Sequence, residues 1–227
     1  AVIGVLMFIT IFKLPETLPI EKRASGSLWN AFKNYRTLFA NATFMRYTLS
    51  VTFFYVAAYA FITGSAFVYI DYFGVAAQNY GFLFGLNIIG IMSLSFLNRK
   101  LVSRFALSKL LVVSSLVAFV ASAVFFVLAW ANIGGIWSVI VPMFVMFSMN
   151  GIIAACANAA ALAAVPNQVA GSAAALLGSL QYGSGIISSL LLAVFSSGTP
   201  FTMAWIIVLF VGLSAMMAVW QGMRTSD

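Results

Sequence analysis

Two neighbouring apolar segments carry uncharged hydrogen-bonding side chains at positions where a membrane would favour hydrocarbon. Asn150 and Asn158 lie in the first segment, and Gln181 and Tyr182 lie in the second. Polar groups at membrane depth usually face a bundle interior or a water-filled cavity, because hydrocarbon leaves their hydrogen bonds unmade. We therefore predict that these four side chains border a cavity. Carboxamides and phenols in an apolar wall suit varied, partly hydrophobic ligands.

A third apolar segment, residues 47–70, has polar side chains along one side of a predicted helix. Their spacing of 4, 3, 4 and 4 positions keeps them within one wedge of the helix surface. This pattern favours a cavity wall with Phe54 and Phe61 as apolar surface, although helix packing through the threonines would also explain it. Asn87, in the middle of the next apolar segment, joins the same wall. The polar stripe consists of Thr48, Thr52, Tyr55, Tyr59 and Thr63.

Small residues form a second periodic pattern in the segment that contains Gln181. They recur every three or four positions and therefore share one face of a helix. Lipid gives helices no hydrophobic reason to associate, so a face of small residues favours close packing against a neighbouring helix. Gly151, Ala155 and Asn158 repeat the pattern in the preceding segment. The face itself consists of Gly171, Ala175, Gly178, Tyr182, Gly185 and Ser189.

The composition places the chain in a bilayer. Of its 227 residues, 63% are hydrophobic and only 7% are charged, and the mean hydropathy is +1.09. These values indicate an integral membrane protein. The absence of histidine excludes histidine-based metal sites and Ser-His triads. The single cysteine, Cys156, lies in an apolar helix and leaves no disulfide framework.

Six complete membrane spans are predicted, at residues 47–70, 80–97, 110–130, 136–165, 169–195 and 201–220. Every lysine and arginine lies in the connections on one side, at 13–46, 98–109, 166–170 and 221–227. The opposite turns, at 71–79, 131–135 and 196–200, contain none. Basic loops mark the cytoplasmic side, so the net charge of +7 reports topology and does not indicate a nucleic-acid partner.

The residues before the six-helix bundle at 47–220 divide into two predicted parts. Residues 1–12 are apolar but shorter than the ~20 residues that cross a bilayer, so we expect the tail of a further helix and a chain that forms the carboxy-terminal part of a larger protein. Residues 13–46 form a cytoplasmic loop. Within it, Leu28, Phe32, Tyr35 and Phe39 recur at helical spacing and predict an amphipathic helix in the headgroup region, with Trp29 at the interface. A docking site for a partner is the alternative. Residues 221–227 are a cytoplasmic tail.

Several short motifs follow one another along the chain. They are the proline-flanked Glu16-Thr17-Leu18, the run from Phe67 through Asp71 to Gly74, Phe84-Gly85-Leu86-Asn87, Asn98-Arg99, and Pro166 followed by Ala170-Gly171, Ala173 and Gly178. Their order and spacing resemble the major facilitator superfamily, and within it the Bcr/CflA branch of bacterial drug exporters. The resemblance runs over nearly the whole chain.

The resemblance implies an all-α integral membrane protein, the six-helix carboxy-terminal half of a 12-helix fold plus the tail of the sixth helix. It implies a partner half with six more helices, a central site for a hydrophobic small-molecule substrate, and alternating access. It further implies proton-driven export of drug-like molecules across the bacterial inner membrane, with the proton gradient as energy source and no cofactor. Arg99, Lys100 and Arg104 resemble a degenerate copy of a cytoplasmic gating-loop signature that lacks its usual acid.

The acidic residues limit how this chain could couple transport to protons. Glu16, Glu21, Asp71 and Asp227 all lie outside the middle of the predicted spans. A coupling carboxylate must titrate inside the membrane, so it would belong to the missing half, with Asp71 as an alternative proton acceptor at the outer surface.

Two other functions remain open from the sequence. A carrier of sugars, amino acids or peptides would place fixed charges in its site, and none is predicted at mid-membrane. A non-transporting membrane scaffold is the second alternative. The lack of histidine and of any buried acid argues against an enzyme.

Overall fold

The computed structural model describes residues 28–224, and the side chains of residues 34–223. The predicted helix tail at 1–12, the loop up to residue 27 and residues 225–227 lie outside the described residues. The described part contains α1 (Leu28–Ala40), α2 (Ala42–Ala66) with a π-helical extension (Phe67–Tyr72), α3 (Ala77–Leu101), α4 (Leu107–Ala131), α5 (Trp137–Ala163), a 3-10 turn (Asn167–Val169), α6 (Ala170–Gly183), α7 (Gly185–Val194) and α8 (Pro200–Arg224).

The six predicted spans are confirmed within the described residues. Each corresponds to a helical segment that is long and apolar enough to cross a bilayer, because about 20 residues at 1.5 Å per residue cover the ~30 Å hydrocarbon core. Helices α6 and α7 together form the fifth of these segments. The segments are Ala42–Tyr72, Ala77–Leu101, Leu107–Ala131, Trp137–Ala163, Asn167–Val194 and Pro200–Met223.

The first span begins five residues before its predicted start, and two side chains explain the difference. Asn41 caps the helix, since its Oδ1 accepts from the Phe44 amide at 3.0 Å. Arg46, assigned to the loop because of its charge, lies inside the first turns of α2. Its guanidinium sits 4.6 Å from the centroid of the Trp220 ring and donates to Gln221 Oε1 at 3.1 Å. A long side chain can thus reach the interface from inside the span.

The predicted helix of the loop exists as α1, and one side of it packs against the bundle. Leu38 is almost fully buried, whereas Phe39 is 55% exposed. Asn34 Nδ2 donates to Ser172 Oγ of α6 at 3.4 Å, and Asn41 Nδ2 donates to the Ala164 carbonyl at 3.0 Å. α1 therefore packs against the end of the bundle near α6. Tyr35 and Phe39 are four positions apart and share one side of the helix, and the location of that side in the headgroup region stays a prediction.

The spans form two rows. Helices α3, α5, α2 and α6–α7 follow one another in the front row, while α4 packs behind α5 and α8 packs behind α2 and beside α4. The shared core between these rows contains Phe54, Phe61, Phe125 and Met143, all fully buried. Helices α3 and α6–α7, at the ends of the front row, are the least buried spans. This arrangement leaves the front row with an open face.

Contacts between helix ends confirm that the basic connections share one end of the bundle. Asn41 reaches Ala164 across the start of α2 and the end of α5. Cys156 Sγ donates to Asn98 Oδ1 at 3.6 Å, which joins α5 to the basic end of α3. At the other end, Tyr72 Oη donates to Asn132 Oδ1 at 3.3 Å. The positive-inside rule therefore predicts one orientation for the whole bundle.

Glycines of the front row behave in two different ways. A Cβ on Gly151 would lie 2.5 Å from the Ile91 carbonyl oxygen and 2.7 Å from the Ser95 amide, and one on Gly90 would collide with Ser148. The predicted close approach at Gly151 is thus confirmed between α3 and α5. By contrast, nothing in the described chain lies within 4 Å of a Cβ on Gly171 or Gly178. Gly171 and Gly178 of the small-residue face are therefore uncovered by the rest of the described chain.

We expect Gly151→Ala to destabilise the bundle. Its Cβ would press on backbone atoms of α3 that cannot move aside, so the cost should fall in the ~1–3 kcal/mol range of an overpacked core. Thermal unfolding of the intact protein in detergent would measure the effect. Gly81→Ala is the matched control, because a Cβ there meets nothing within 4 Å. Equal unfolding temperatures for the two variants would contradict the close approach of α3 and α5.

Candidate functional site

Most of the predicted polar side chains lie in one layer near the midpoints of their spans. Tyr55 and Tyr59 fall within about 3 Å of the midpoint of the first span, since each residue of a helix rises 1.5 Å. Asn87, Asn150, Gln181 and Tyr182 lie equally close to the midpoints of their own spans. Thr52, Thr63 and Asn158 lie farther away, at about 8–12 Å from the midpoints. All nine belong to the front row.

Three phenols meet in this layer and form what we call the tyrosine cluster, Tyr55, Tyr59 and Tyr182. The ring centroids of Tyr55 and Tyr59 are 6.0 Å apart with an interplanar angle of 64°. Those of Tyr55 and Tyr182 are also 6.0 Å apart, at 85°. These edge-to-face contacts are the favoured geometry of aromatic pairs. Tyr182 is 66% exposed, so the cluster opens onto the uncovered side of the bundle.

A break in the fifth span shapes the cluster. α6 ends at Gly183 and α7 begins at Gly185, with Ser184 Oγ donating to the Gln181 carbonyl at 2.6 Å. Glycine and serine together commonly mark helix kinks. A Cβ on Gly185 would lie 3.3 Å from Cγ of Tyr59, so the absent side chain makes room for that ring. A single unbroken helix over 169–195 was predicted, and the Gly183-Ser184-Gly185 run was the signal available in the sequence.

Five of the predicted polar side chains have a buried oxygen without a hydrogen-bond partner in the described chain. An unsatisfied buried acceptor or hydroxyl costs about 1–3 kcal/mol, and each such group in a folded protein requires an explanation. In Asn87, for example, Nδ2 donates to the Leu83 carbonyl at 3.2 Å, while Oδ1 has no hydrogen-bond partner in the described chain. Ser115 Oγ of α4 is a sixth such atom, which the sequence analysis did not single out. The five are Thr48, Thr52, Asn87, Asn150 and Asn158.

Gln181 and Thr63 do not join the tyrosine cluster. Gln181 is only 3% exposed although Tyr182 beside it is largely exposed, because consecutive helical residues point about 100° apart. A molecule resting on the tyrosine cluster would therefore not contact Gln181 in this conformation, and its role stays a prediction. Thr63 instead lines a cavity of about 310 Å³ at the outer ends of α2, α7 and α8, together with Phe67, Ser189 and Thr202.

The prediction that Phe54 and Phe61 provide the apolar surface of the cavity was wrong. Both side chains are fully buried within the bundle. The Phe61 ring lies 4.8 Å from that of Phe147 and stacks at 6.3 Å on that of Phe84. Phe61 therefore packs α2 against α3 and α5. The exposed aromatic surface at this depth comes from the tyrosine cluster.

Charged side chains lie at the two ends of the bundle. Arg99, Lys100 and Arg104 are exposed at the end of α3 and the turn that follows. Among the described residues the only acid is Asp71, which is exposed at the opposite end. Within residues 28–224, no group of three or more cysteine or acidic side chains is placed to hold a metal ion. The mid-membrane layer thus offers neutral hydrogen bonding and aromatic contact.

The chain is similar in sequence to a protein-family model and to two curated bacterial proteins. The family model of the Major Facilitator Superfamily matches residues 1–189. An uncharacterized MFS-type transporter, YdgK, of Bacillus subtilis is 31% identical over 194 residues, which are 85% of this chain and 48% of that protein. A bicyclomycin resistance protein homolog of Haemophilus influenzae is 28% identical over 207 residues, 89% of this chain and 52% of that protein. The chain spans about half the length of these curated relatives.

Thiol labelling tests whether the tyrosine cluster faces water. In a Cys156→Ala background, we expect Tyr182→Cys to react with a membrane-impermeant, charged thiosulfonate at least about tenfold faster than Val120→Cys, because the reactive thiolate forms only in contact with water. Val120 of α4 is a matched control, 61% exposed and also near the middle of its span. Rates would be measured on the intact protein in right-side-out and inverted membrane vesicles. Equally slow labelling in both preparations would place Tyr182 against lipid or protein.

Proposed function

The chain belongs to the major facilitator superfamily, and on this premise we propose that it is the carboxy-terminal half of a proton-coupled exporter of drug-like small molecules. The exporter would lie in the bacterial inner membrane and work by alternating access, in which two halves rock around a central site. The chain resembles the Bcr/CflA branch of the family. The main support for this proposal is the tyrosine cluster.

The depth and exposure of the tyrosine cluster support a substrate site. Tyr182 exposes most of its surface at the middle of its span, where a phenol facing acyl chains would leave its hydrogen bonds unmade. A cavity between two halves provides both water and polar partners. The same cavity would bring ligand groups or water to the unpaired oxygens of Asn87, Asn150 and Asn158. The proposed wall is Thr52, Tyr55, Tyr59, Thr63, Asn87, Asn150, Asn158, Gln181 and Tyr182.

The chemistry of this wall favours varied hydrophobic ligands over a single charged metabolite. Aromatic rings offer contact area without a fixed hydrogen-bond pattern, and carboxamides can either donate or accept. A carrier of sugars, amino acids or peptides would be expected to place a charged partner in its site. No described residue at mid-span carries a charge. The relative named as a bicyclomycin resistance protein homolog supports a drug as substrate.

The other half of the transporter is the proposed partner of the open front row. The chain covers 48% and 52% of two curated relatives, which leaves room for six further helices. The glycine face of α6, with Gly171 and Gly178, offers the close approach that helices need in lipid. We propose that residues 1–12 end the sixth helix, 13–46 link the halves, 47–220 form the second bundle and 221–227 are a tail.

Proton coupling in this proposal depends on the partner half. Asp71 is the only described acid, and it is exposed at the outer end. A carboxylate that couples transport to protons must change its protonation within the membrane, where desolvation raises its pKa. We place that carboxylate in the amino-terminal half. Arg99, Lys100 and Arg104 are proposed to form the cytoplasmic gating loop.

Alanine substitution of Tyr55 or Tyr59 should lower resistance to bicyclomycin. Each aromatic contact contributes about 0.5–1.5 kcal/mol, which corresponds to a two- to tenfold weaker interaction. We expect a comparable fall in the inhibitory concentration for cells that express the intact transporter, at unchanged membrane abundance. Gln181→Ala tests the buried member of the wall in the same assay.

The control for this series is Tyr72→Ala, which removes a tyrosine at the outer end of the same span, away from the cluster. Its resistance should stay within twofold of the unaltered transporter. Unchanged resistance in all the cluster variants would remove the tyrosine cluster from the substrate site. Transport of other drugs could then still be measured directly with the same variants.

Asp71→Asn tests where protons are exchanged. If the coupling acid lies in the other half, the variant should retain drug-dependent proton movement within about twofold, because Asp71 is exposed far from the middle layer. A fluorescent pH probe in inverted membrane vesicles would record the movement on addition of drug. Loss of proton movement with retained drug binding would instead identify Asp71 as a proton acceptor.

A further inference from the structure

A groove at the basic end of the back row shares no residue with the proposed substrate wall or the proposed gating loop. It has a volume of about 510 Å³ and is formed by the first turns of α4 and the last turns of α8. Helices α4 and α8 approach closely beneath it, since a Cβ on Gly222 would lie 2.9 Å from Cγ2 of Val112. The back row is turned away from the open front face. The groove therefore opens toward the bilayer and not toward the proposed partner half.

The groove is amphipathic along its length. Lys109 and Ser108 provide the polar groups at the end nearest the headgroups, and valines 112, 113 and 219 continue the lining toward the hydrocarbon. Val113 is 53% exposed, so its side chain is open to an acyl chain in the groove. The Lys109 ammonium lies 5.6 Å from the Phe105 ring, on the same end of the helix as the groove. One cation above an apolar channel matches a lipid with a negative headgroup and an acyl chain.

Charge complementarity selects an anionic occupant. Arg99, Lys100 and Arg104 lie in the same connection as Lys109, while the only described acid, Asp71, is at the opposite end of the bundle. The positive-inside rule puts this basic end on the cytoplasmic surface, where anionic lipids attract each nearby lysine or arginine by about 1 kcal/mol. Such basic grooves between membrane helices bind anionic headgroups.

We propose that the groove between α4 and α8 is a binding site for an anionic diacyl phospholipid of the cytoplasmic leaflet. The phosphate lies against Lys109 and Ser108, and one acyl chain follows Val112, Val113 and Val219. The site is separate from the substrate cavity and does not depend on what the transporter exports. A bound lipid here would hold the end of α4 against the end of α8.

Native mass spectrometry of the intact transporter in detergent tests the site with two probes. Dioleoyl phosphatidylglycerol is anionic, and dioleoyl phosphatidylcholine has the same acyl chains without net charge. We expect the anionic lipid to bind about fivefold more tightly, the factor that corresponds to ~1 kcal/mol for one basic residue. Lys109→Gln should remove this preference. Arg104→Gln, which removes one charge from the same connection but does not line the groove, should change it less than twofold.

Val113→Trp distinguishes lipid binding in the groove from non-specific attraction of the lipid to basic residues. The indole should fill the apolar channel while leaving Lys109 in place, so binding of the anionic lipid should fall although the charge is unchanged. Thermal unfolding without added lipid checks that both groove variants remain folded. Three results would overturn the site: no preference for the anionic lipid, equal losses in Lys109→Gln and Arg104→Gln, or unchanged lipid binding in Val113→Trp. A dimer that Val113→Trp dissociates would assign the groove to a second copy of the chain instead.

Discussion

Hydrocarbon cannot satisfy a hydrogen bond, and the rest of this structure follows from that constraint. Serines inside the bundle solve it within their own helix, as when Ser114 Oγ donates to the Leu110 carbonyl at 2.7 Å and Ser148 Oγ donates to the Phe144 carbonyl at 2.6 Å. Ser50 instead bonds across to the Ser214 carbonyl at 3.1 Å and so joins α2 to α8. The carboxamide oxygens of Asn150 and Asn158 have no hydrogen-bond partner in their own helix or in another described helix. Side chains of similar polarity therefore differ in whether the described chain supplies a hydrogen-bond partner, and the hydroxyl of Ser115 is unpaired as well.

Lipid does not drive helices together, so the helices of this bundle must associate through close packing. Where the bundle is complete, as at Gly151 between α3 and α5, the absence of a Cβ permits a close approach, since an added Cβ would lie 2.5 Å from the Ile91 carbonyl oxygen. Where it is open, as at Gly171 and Gly178, the same kind of residue faces nothing in the described chain. The sequence pattern is alike in the two helices. The structure distinguishes the glycines at which two helices of this bundle meet from those that no described residue covers.

The sequence predicted the number and order of the spans well, since length and apolar composition determine them. It could not predict the rotation of each helix, because a span that is apolar on every side has little contrast between its buried and lipid-facing residues. This explains why Phe54 and Phe61 were assigned to a cavity and why Gln181 and Tyr182 were grouped together. The π-helical end of α2 was also missed. Just before this extension, the hydroxyls of Ser65 and Tyr80 form a 2.9 Å hydrogen bond that joins α2 to α3.

The tyrosine cluster joins two helices that differ in how extensively neighbouring helices pack against them. α2 packs against α5, α8 and both parts of the fifth span, so Tyr55 and Tyr59 stand on one of the two most buried spans of the bundle. Tyr182 stands on α6, one residue before Gly183, at the end of the front row where few neighbours restrain it. A change in the angle at the Gly183–Gly185 break would therefore alter the Tyr55–Tyr182 contact before it disturbed the core around Phe61. The aromatic surface at mid-membrane is thus set by one rigid helix and one interrupted helix, and its shape depends on the join between α6 and α7.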